Sequence, residues 1–160
     1  MNNEALFFKD KPLFGLDVGF GSIKVMQLEP NGKKQLVSGY GAISFDQAAL
    51  KDGVITDIET VAAATHDLFT KQIIGNITTR RVVLSIPAAR SYNRNVHLPK
   101  LAPKELKNAV QVEVEQYVPV PISDLYIDYS VVKEDAEGMD LLIVAVPKKI
   151  VDSYLQYARV

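Results

Sequence analysis

The first fifty residues follow a pattern that is typical of β-strands. Residues 13–18 are almost all apolar and predict a buried strand, and residues 23–28 alternate as a second strand would. Pro30-Asn31-Gly32 is a hairpin signal, because Asn-Gly readily adopts positive φ, and a third strand is expected at about 35–43. These elements predict a β-meander that ends in a loop around Lys51-Asp52-Gly53.

The pattern then changes to a helical period. Thr56-Asp57-Ile58-Glu59 has the spacing of a capping box, and apolar residues recur at helical spacing as far as Ile73. We therefore expect a helix that begins near Thr56 and ends near Gly75. A β-branched run at 81–86 is stopped by Pro87 and predicts another buried strand.

The second half of the chain predicts a β-α-β-β unit at 91–147, interpreted as a small subdomain inserted after the strand at 81–86. The unit begins with a strand at 91–98 and a helix from Pro103 that ends before Val118-Pro119-Val120-Pro121, and it continues with strands at 126–132 and 139–146. A last helix follows the unit from about Lys148. The apolar face of that last helix continues to Val160 without a terminating signal. We therefore expect the chain to be the first part of a longer protein.

Composition narrows the function classes. The 160 residues carry 18 basic and 19 acidic side chains, so no single-sign field favours nucleic acid or an anionic membrane. Cysteine is absent, which excludes disulfides, thiolate catalysis and zinc–thiolate sites. The longest apolar run, Leu141 to Val146, is far shorter than the roughly 20 residues that span a bilayer. We expect a soluble protein of cytoplasmic type that meets a membrane only through a partner.

The turn after the first strand carries the most informative chemistry. Gly19 and Gly21 would let a phosphate approach backbone amides, while Ser22 adds a hydroxyl donor. Lys24 could neutralise phosphate charge. Asp17 ends an apolar strand, so we expect its carboxylate to be buried, and a hydrated Mg²⁺ accompanying a nucleotide would give it a partner. The alternative is a tight β-hairpin in which the glycines serve geometry and Asp17 accepts turn amides.

The other polar residues give weaker signals, and none is assigned a catalytic role. His66 and His97 lack a second histidine or an acid at ligand spacing, which favours surface or packing roles over metal binding. Ser85 lies within a strand and not on a nucleophile elbow. A loose basic cluster, interpreted as solvated surface or as a contact for a partner's acids, comprises Arg80, Arg81, Arg90 and Arg94.

Two stretches carry a resemblance to known proteins. Residues 15–24, Gly-Leu-Asp-Val-Gly-Phe-Gly-Ser-Ile-Lys, are similar to the first phosphate motif of the actin-like ATPase superfamily. Residues 113–129, with Glu-Gln-Tyr-Val-Pro-Val-Pro at their centre, resemble the PilM family of type IV pilus assembly proteins within it. One departure is Phe20, which stands where the superfamily has a small hydroxyl residue facing the phosphates. The second phosphate motif of the superfamily would lie beyond Val160.

The resemblance implies an α/β fold of the actin-like (ribonuclease H-like) type with an incomplete second half. Subdomain 1A would occupy 10–90, the inserted β-α-β-β subdomain 1C would occupy 91–147, and a helix at 148–160 would return to 1A. It also implies that the full-length protein binds ATP with Mg²⁺, with Asp17 meeting the metal through water. In this fragment, hydrolysis is expected to be weak or absent. The implied nucleotide contacts are Asp17, Gly19, Gly21, Ser22 and Lys24.

The resemblance further implies a scaffold role at the inner membrane. In PilM-like proteins, the groove between 1A and 1C receives the cytoplasmic N-terminal peptide of the inner-membrane protein PilN. The scaffold would thereby link pilus motor ATPases to the inner-membrane platform. Alternatives are a cell-division protein of the FtsA type or a sugar or acetate kinase-like phosphotransferase; the lack of a general base near the turn weighs against the kinase. The candidate groove residues, argued from location, are Tyr92, Arg94, Val96 and Leu98.

Overall fold

The computed structural model describes residues 11–160 and divides into two compact units. The first unit consists of the described residues up to Gln47 together with Glu59–Ser85, and the second consists of Ala48–Ile58 and Ile86–Val160. The larger β-sheets lie one in each unit. The predicted boundaries of subdomains 1A and 1C stay predictions, and the predicted start of 1A lies outside the described residues.

The order of elements confirms the predicted β-meander, the β-α-β-β order in the second half and the last helix. In chain order the elements are β1 (Phe14–Val18), β2 (Ser22–Asn31), β3 (Lys34–Ser44), β4 (Leu50–Lys51), β5 (Val54–Ile55), α1 (Ile58–Asp67), β6 (Ile74–Gly75), β7 (Val82–Ser85), β8 (Tyr92–Leu98), α2 (Pro103–Tyr117), β9 (Leu125–Glu134), β10 (Met139–Pro147) and α3 (Lys148–Tyr157). None of these described helices is long and apolar enough to cross a membrane.

The sheet of the first unit has the order β6-β3-β2-β1-β7, with β7 parallel to β1 and the other pairs antiparallel. Gly32 and Lys33 form the two-residue loop between β2 and β3, and Gly32 has φ +62°. A π-helical segment, Leu68–Gln72, continues α1 and lies against β3. Ile73 is extended, so the helix ends before the predicted Gly75, which instead belongs to β6.

One face of this sheet is buried and the other is open. Leu16, Val18 and Ile23 are buried, and Phe14 packs edge-on against Phe69 with ring centroids 5.5 Å apart. The expectation of a fully buried strand at 81–86 is wrong. Successive side chains of a strand point to opposite faces, and the odd-numbered positions of β7 are exposed while the even-numbered ones are half-buried.

The sheet of the second unit has the order β8-β10-β9 and is packed on one face against α2. Leu106, Val110 and Val114 recur at helical spacing and form a buried cluster with Leu141 and Ile143 of the central strand. Helix α2 begins at Pro103, where a missing N–H costs nothing, and ends at Tyr117 because Val118 is extended before a proline. This cluster is the core of the second unit.

Helix α3 also belongs to the second unit, where it packs against β5. Tyr154 and Tyr157 are buried on this helix. The buried Ser153 hydroxyl donates to the Ile150 carbonyl at 2.7 Å and accepts the Ile55 amide at 3.1 Å. Ser153 therefore ties α3 to β5 through a hydroxyl that both donates and accepts a hydrogen bond.

Candidate functional site

The glycine-rich turn is a tight hairpin connection whose glycine amides are engaged. The Gly19 amide donates to the Ser22 carbonyl at 2.9 Å, and the Gly21 amide donates to the Gly19 carbonyl at 2.8 Å. Gly21 has φ +99°, which favours glycine, and the Gln47 side chain lies directly against it. Both amides that the phosphate hypothesis assigns are thus already hydrogen-bonded within the turn.

Asp17 is not buried, contrary to the sequence-based expectation. Its side chain is 48% exposed because it points to the open face of the sheet. The Ser85 hydroxyl donates a short hydrogen bond to Asp17 Oδ1, and Lys24 Nζ lies 4.0 Å from Oδ2. Both are cross-strand neighbours of Asp17, Lys24 on β2 and Ser85 on β7. Because Asp17 is not buried, its charge needs no bound cation to offset a desolvation cost. Its carboxylate is nevertheless accessible to a cation.

Side-chain donors also lie near the turn. Ser22 carries a hydroxyl, and Lys24 is an exposed cation beside Asp17. Phe20 is 59% exposed at the tip of the turn, where the superfamily has a hydroxyl residue. In the part of the chain that the structure describes, no three His, Asp or Glu residues are close enough to hold a metal ion. A Mg²⁺ at Asp17 would therefore keep most of its water ligands.

The four groove residues predicted on β8 share one face of the strand, and that face meets the core. Tyr92, Val96 and Leu98 are half-buried against the cluster beneath α2. Arg94 is exposed, and its guanidinium carbon lies 4.9 Å from the centroid of the Tyr117 ring. The structure thus gives all four a packing partner within the second unit. Their role in partner binding stays a prediction.

A cavity of about 600 Å³ lies within the second unit and adjoins the start of β8. Tyr92 is the one predicted groove residue on its wall. Arg90 belongs to the loose basic cluster that the sequence indicates as solvated surface or as a contact for a partner's acids. The sequence assigns no role to the other wall residues, which come from four separate stretches of the chain. The lining residues are Asp52, Ala89, Arg90, Ser91, Tyr92, Val120, Asp124, Pro147, Lys148, Lys149 and Ile150.

Arg90 is held in the cavity wall by a tight hairpin. Asp52 and Gly53 have φ +52° and +82°, and they connect β4 to β5 as a two-residue turn. Asp52 Oδ1 lies 3.4 Å from Arg90 Nη2, and a Cβ on Gly53 would come within 2.7 Å of Arg90 Cγ. The sequence predicts only a loop here, although Asp-Gly between two short strands is a strong hairpin signal.

Lys148 is held in a similar way at the start of α3. Its Nζ lies 5.6 Å from the centroid of the Tyr126 ring, and the Tyr126 hydroxyl donates to Asp152 Oδ1 at 3.0 Å. This hydrogen bond, together with the negative charge of Asp152, raises the pKa of Tyr126. The side chain of Lys148 thus has a fixed platform beside the cavity.

His97 has an acidic neighbour that is distant from it in the sequence. Its Nδ1 lies 2.7 Å from Asp140 Oδ1, because the two residues face each other across β8 and β10. Both side chains are exposed. One acid and one imidazole form a hydrogen-bonded pair at the surface and fall short of a metal site.

Comparison with known proteins identifies the family. The family model described as "Type IV pilus assembly protein PilM" matches residues 15–159. The solved structure of a PilM-PilN type IV pilus biogenesis complex superposes with a TM-score of 0.80 at 22% identity, covering 92% of this chain and 44% of that one. This chain therefore spans less than half of the solved relative.

A second solved structure is more distant. It is the cytoplasmic domain of EpsL, an inner-membrane component of the type II secretion system of Vibrio cholerae, with a TM-score of 0.56 and 14% identity. It covers 93% of this chain and 52% of that chain. At these identities the likenesses show the fold, and they confirm the predicted α/β, actin-like class. Because the family model matches nearly the whole sequence, the chain belongs to the PilM family of type IV pilus assembly proteins.

Proposed function

We propose that this chain works in type IV pilus assembly as a cytoplasmic docking scaffold. The segment it would hold is the N-terminal cytoplasmic peptide of a PilN-like inner-membrane protein. The scaffold would reach the membrane only through this partner and would link pilus motor proteins to the membrane platform. Membership of the PilM family and the likeness to a PilM-PilN complex support this proposal over a cell-division protein or a phosphotransferase.

The observation that carries the proposal is the cavity in the second unit. Its volume of about 600 Å³ falls within the range of roughly 300–1,000 Å³ that is typical of ligand pockets. The wall combines apolar groups, such as Val120, Pro147 and Ile150, with charged side chains. An extended peptide recognised by apolar contacts and a few polar guides needs this kind of surface.

Calorimetry with a blocked cavity tests the proposal. The synthetic N-terminal peptide of the cognate PilN-like protein is titrated into the wild-type chain and into Ala89→Trp, which places an indole on the cavity wall. We expect the wild type to bind and the variant to lose at least about tenfold in affinity, because an overfilled pocket excludes its ligand. Ala136→Trp, at an exposed turn residue away from the cavity, is the matched control.

Two outcomes would contradict the proposal that the peptide docks in this cavity. One is that the wild-type chain gives no binding heat at any peptide concentration. The other is that Ala89→Trp and Ala136→Trp bind the peptide equally well, since the cavity would then not be the docking site. Circular dichroism of each variant checks that the indole has not unfolded the chain.

A nucleotide site in the longer protein is a second proposal, favoured by the accessible Asp17 carboxylate. ATP would supply the phosphates and Mg²⁺, with Asp17 meeting the metal through water and Ser22 and Lys24 donating to phosphate oxygens. Gly19 and Gly21 would let the phosphates approach the backbone closely without donating to them, since their amides are engaged in the turn.

Nucleotide binding by the longer protein tests this second proposal. Asp17→Ala is expected to weaken Mg-ATP binding, measured by fluorescent-nucleotide displacement, whereas Asp128→Ala is not. If Asp17→Ala and Asp128→Ala bind Mg-ATP with equal affinity, the glycine-rich turn is a structural hairpin and not part of a nucleotide site.

A further inference from the structure

Charged side chains of both signs line the cavity, but they are not equally engaged. Arg90, Lys148 and Lys149 supply three positive charges, and Asp52 and Asp124 supply two negative ones. Asp52 already faces Arg90, so one negative charge is committed to holding a cation. The lining therefore carries one net positive charge, which favours an acidic ligand group over a basic one.

Arg90 has the geometry of an anion anchor. Its guanidinium offers five N–H donors in a rigid fork, and Asp52 Oδ1 lies 3.4 Å from Nη2, longer than an ordinary hydrogen bond, so donors are available to a ligand. The side chain is 37% exposed, so a bound carboxylate would be partly shielded from water. Its aliphatic stem lies against Gly53, which restricts where the guanidinium can point.

Lys148 is also held in place before any ligand arrives. The Tyr126 ring lies under its ammonium group, and Asp152 fixes the Tyr126 hydroxyl. A cation that is already restrained loses less conformational entropy when it contacts an anion. Two of the three cations on the cavity wall are therefore preorganised by neighbours of their own.

We propose that Arg90 anchors an aspartate or glutamate side chain of the docked peptide, and that Asp52 acts as the positioning residue that aims the guanidinium into the cavity. This inference rests on the proposed docking function. The docked peptide would be an extended segment with at least one acidic residue, and Arg90 would be the cavity residue that selects for that acid. A carboxylate matches the bidentate geometry of arginine, which lysine cannot reproduce.

A double-mutant cycle between protein and peptide tests the proposal by calorimetry. One probe is the N-terminal peptide of the cognate PilN-like protein, and the other is the same peptide with every Asp and Glu replaced by Asn and Gln. We expect Arg90→Gln to weaken binding of the native peptide about tenfold, and neutralising the peptide to weaken its binding to the wild type by a similar factor. Neutralisation should cost nothing further in Arg90→Gln.

The control variants separate charge selection from loss of structure. Arg159→Gln removes an arginine of the same unit outside the cavity and should change affinity less than about twofold. Arg90→Lys keeps the charge without the fork and should lose only part of the affinity. Asp52→Asn should weaken binding of the acidic peptide but not of the neutralised one, and Asp52→Glu should restore part of the loss.

The outcomes distinguish this inference from the docking function on which it rests. If the native peptide binds Arg90→Gln as tightly as wild type while Ala89→Trp still blocks it, the docking role stands and the Arg90 anchor is overturned. A neutralised peptide that binds wild type undiminished also overturns the anchor. If the native peptide does not bind wild type at all, both proposals fail.

Discussion

The guanidinium carbon of Arg94 lies 4.9 Å from the centroid of the Tyr117 ring, so a β8 side chain covers the C-terminal end of α2. The hydroxyl of the same tyrosine is buried and has no hydrogen-bond partner among residues 11–160. Burial raises the pKa of Tyr117, and the charge of Arg94 opposes that rise. The ring therefore gains a cation–π contact, whereas the hydroxyl is desolvated without compensation.

Replacing Tyr117 with phenylalanine is expected to leave stability unchanged or to raise the free energy of unfolding by up to about 1 kcal/mol. The substitution keeps the ring beneath Arg94 and removes an unsatisfied hydroxyl. Urea denaturation with a constant m-value measures the effect. Tyr126→Phe is the matched control, and it should lower stability because that hydroxyl has a partner in Asp152. A loss above about 1 kcal/mol in Tyr117→Phe would mean that the hydroxyl is hydrogen-bonded in solution.

The sequence predicts much of the fold because the signals of β1 to β3 and of α2 are local. Alternation, Asn-Gly and the prolines around α2 act over a few residues, and the structure has these elements close to their expected bounds. The exposure of Asp17 is not local, since it depends on what covers one face of a sheet. The apolar neighbours of Asp17 on β1 favour a prediction of burial, but their side chains point to the opposite face of the sheet.

The cavity could not be predicted from periodicity for a related reason. Asp52 and Arg90 meet only because a two-residue hairpin and a 3₁₀ turn, Ala88–Arg90, come together in the folded second unit. Periodicity describes single elements and carries no information on such a meeting. The Asp-Gly pair nevertheless indicates the hairpin, and Arg90 of the cavity wall belongs to the basic cluster that the sequence indicates.

Ser153→Ala is expected to destabilise the chain by about 1–3 kcal/mol. The hydroxyl is the acceptor for the Ile55 amide, and alanine would leave that amide without this partner in a buried place. Thermal and urea unfolding measure the loss. Ser130→Ala, on an exposed position of β9, is the control and should change stability by no more than about 0.5 kcal/mol. Equal effects of the two substitutions would contradict the role of Ser153 in tying α3 to β5.

The Tyr126–Asp152 hydrogen bond makes stability depend on pH in the alkaline range. Asp152 raises the pKa of Tyr126 above its ordinary value of 10.0, so the folded state holds this proton more tightly than the unfolded state. The stabilisation is complete below the unfolded pKa and is lost as the pH rises through the higher, folded pKa. Above about pH 10, the unfolding free energy of the wild type should therefore fall more steeply than that of Tyr126→Phe.

Ultraviolet absorbance titration checks the assignment of this proton. The difference between wild type and Tyr126→Phe isolates one phenol, and its midpoint should lie above the ordinary value. Asp152→Asn removes the negative charge and should bring that midpoint down. An unchanged midpoint in Asp152→Asn would show that another group perturbs Tyr126.

Two glycines with positive φ allow the contact with Arg90 to be separated from backbone strain. Gly32 has φ +62° with open space around its Cα, whereas Gly53 has φ +82° and lies against Arg90. Gly32→Ala should therefore lower the free energy of unfolding only by the backbone strain of a non-glycine residue at positive φ, about 1–2 kcal/mol. Gly53→Ala should cost more, because its methyl group must displace the Arg90 stem, and it should also weaken binding of the acidic peptide. Urea unfolding and peptide calorimetry on both variants measure the two effects, and equal losses for the pair would show that Gly53 does not hold Arg90.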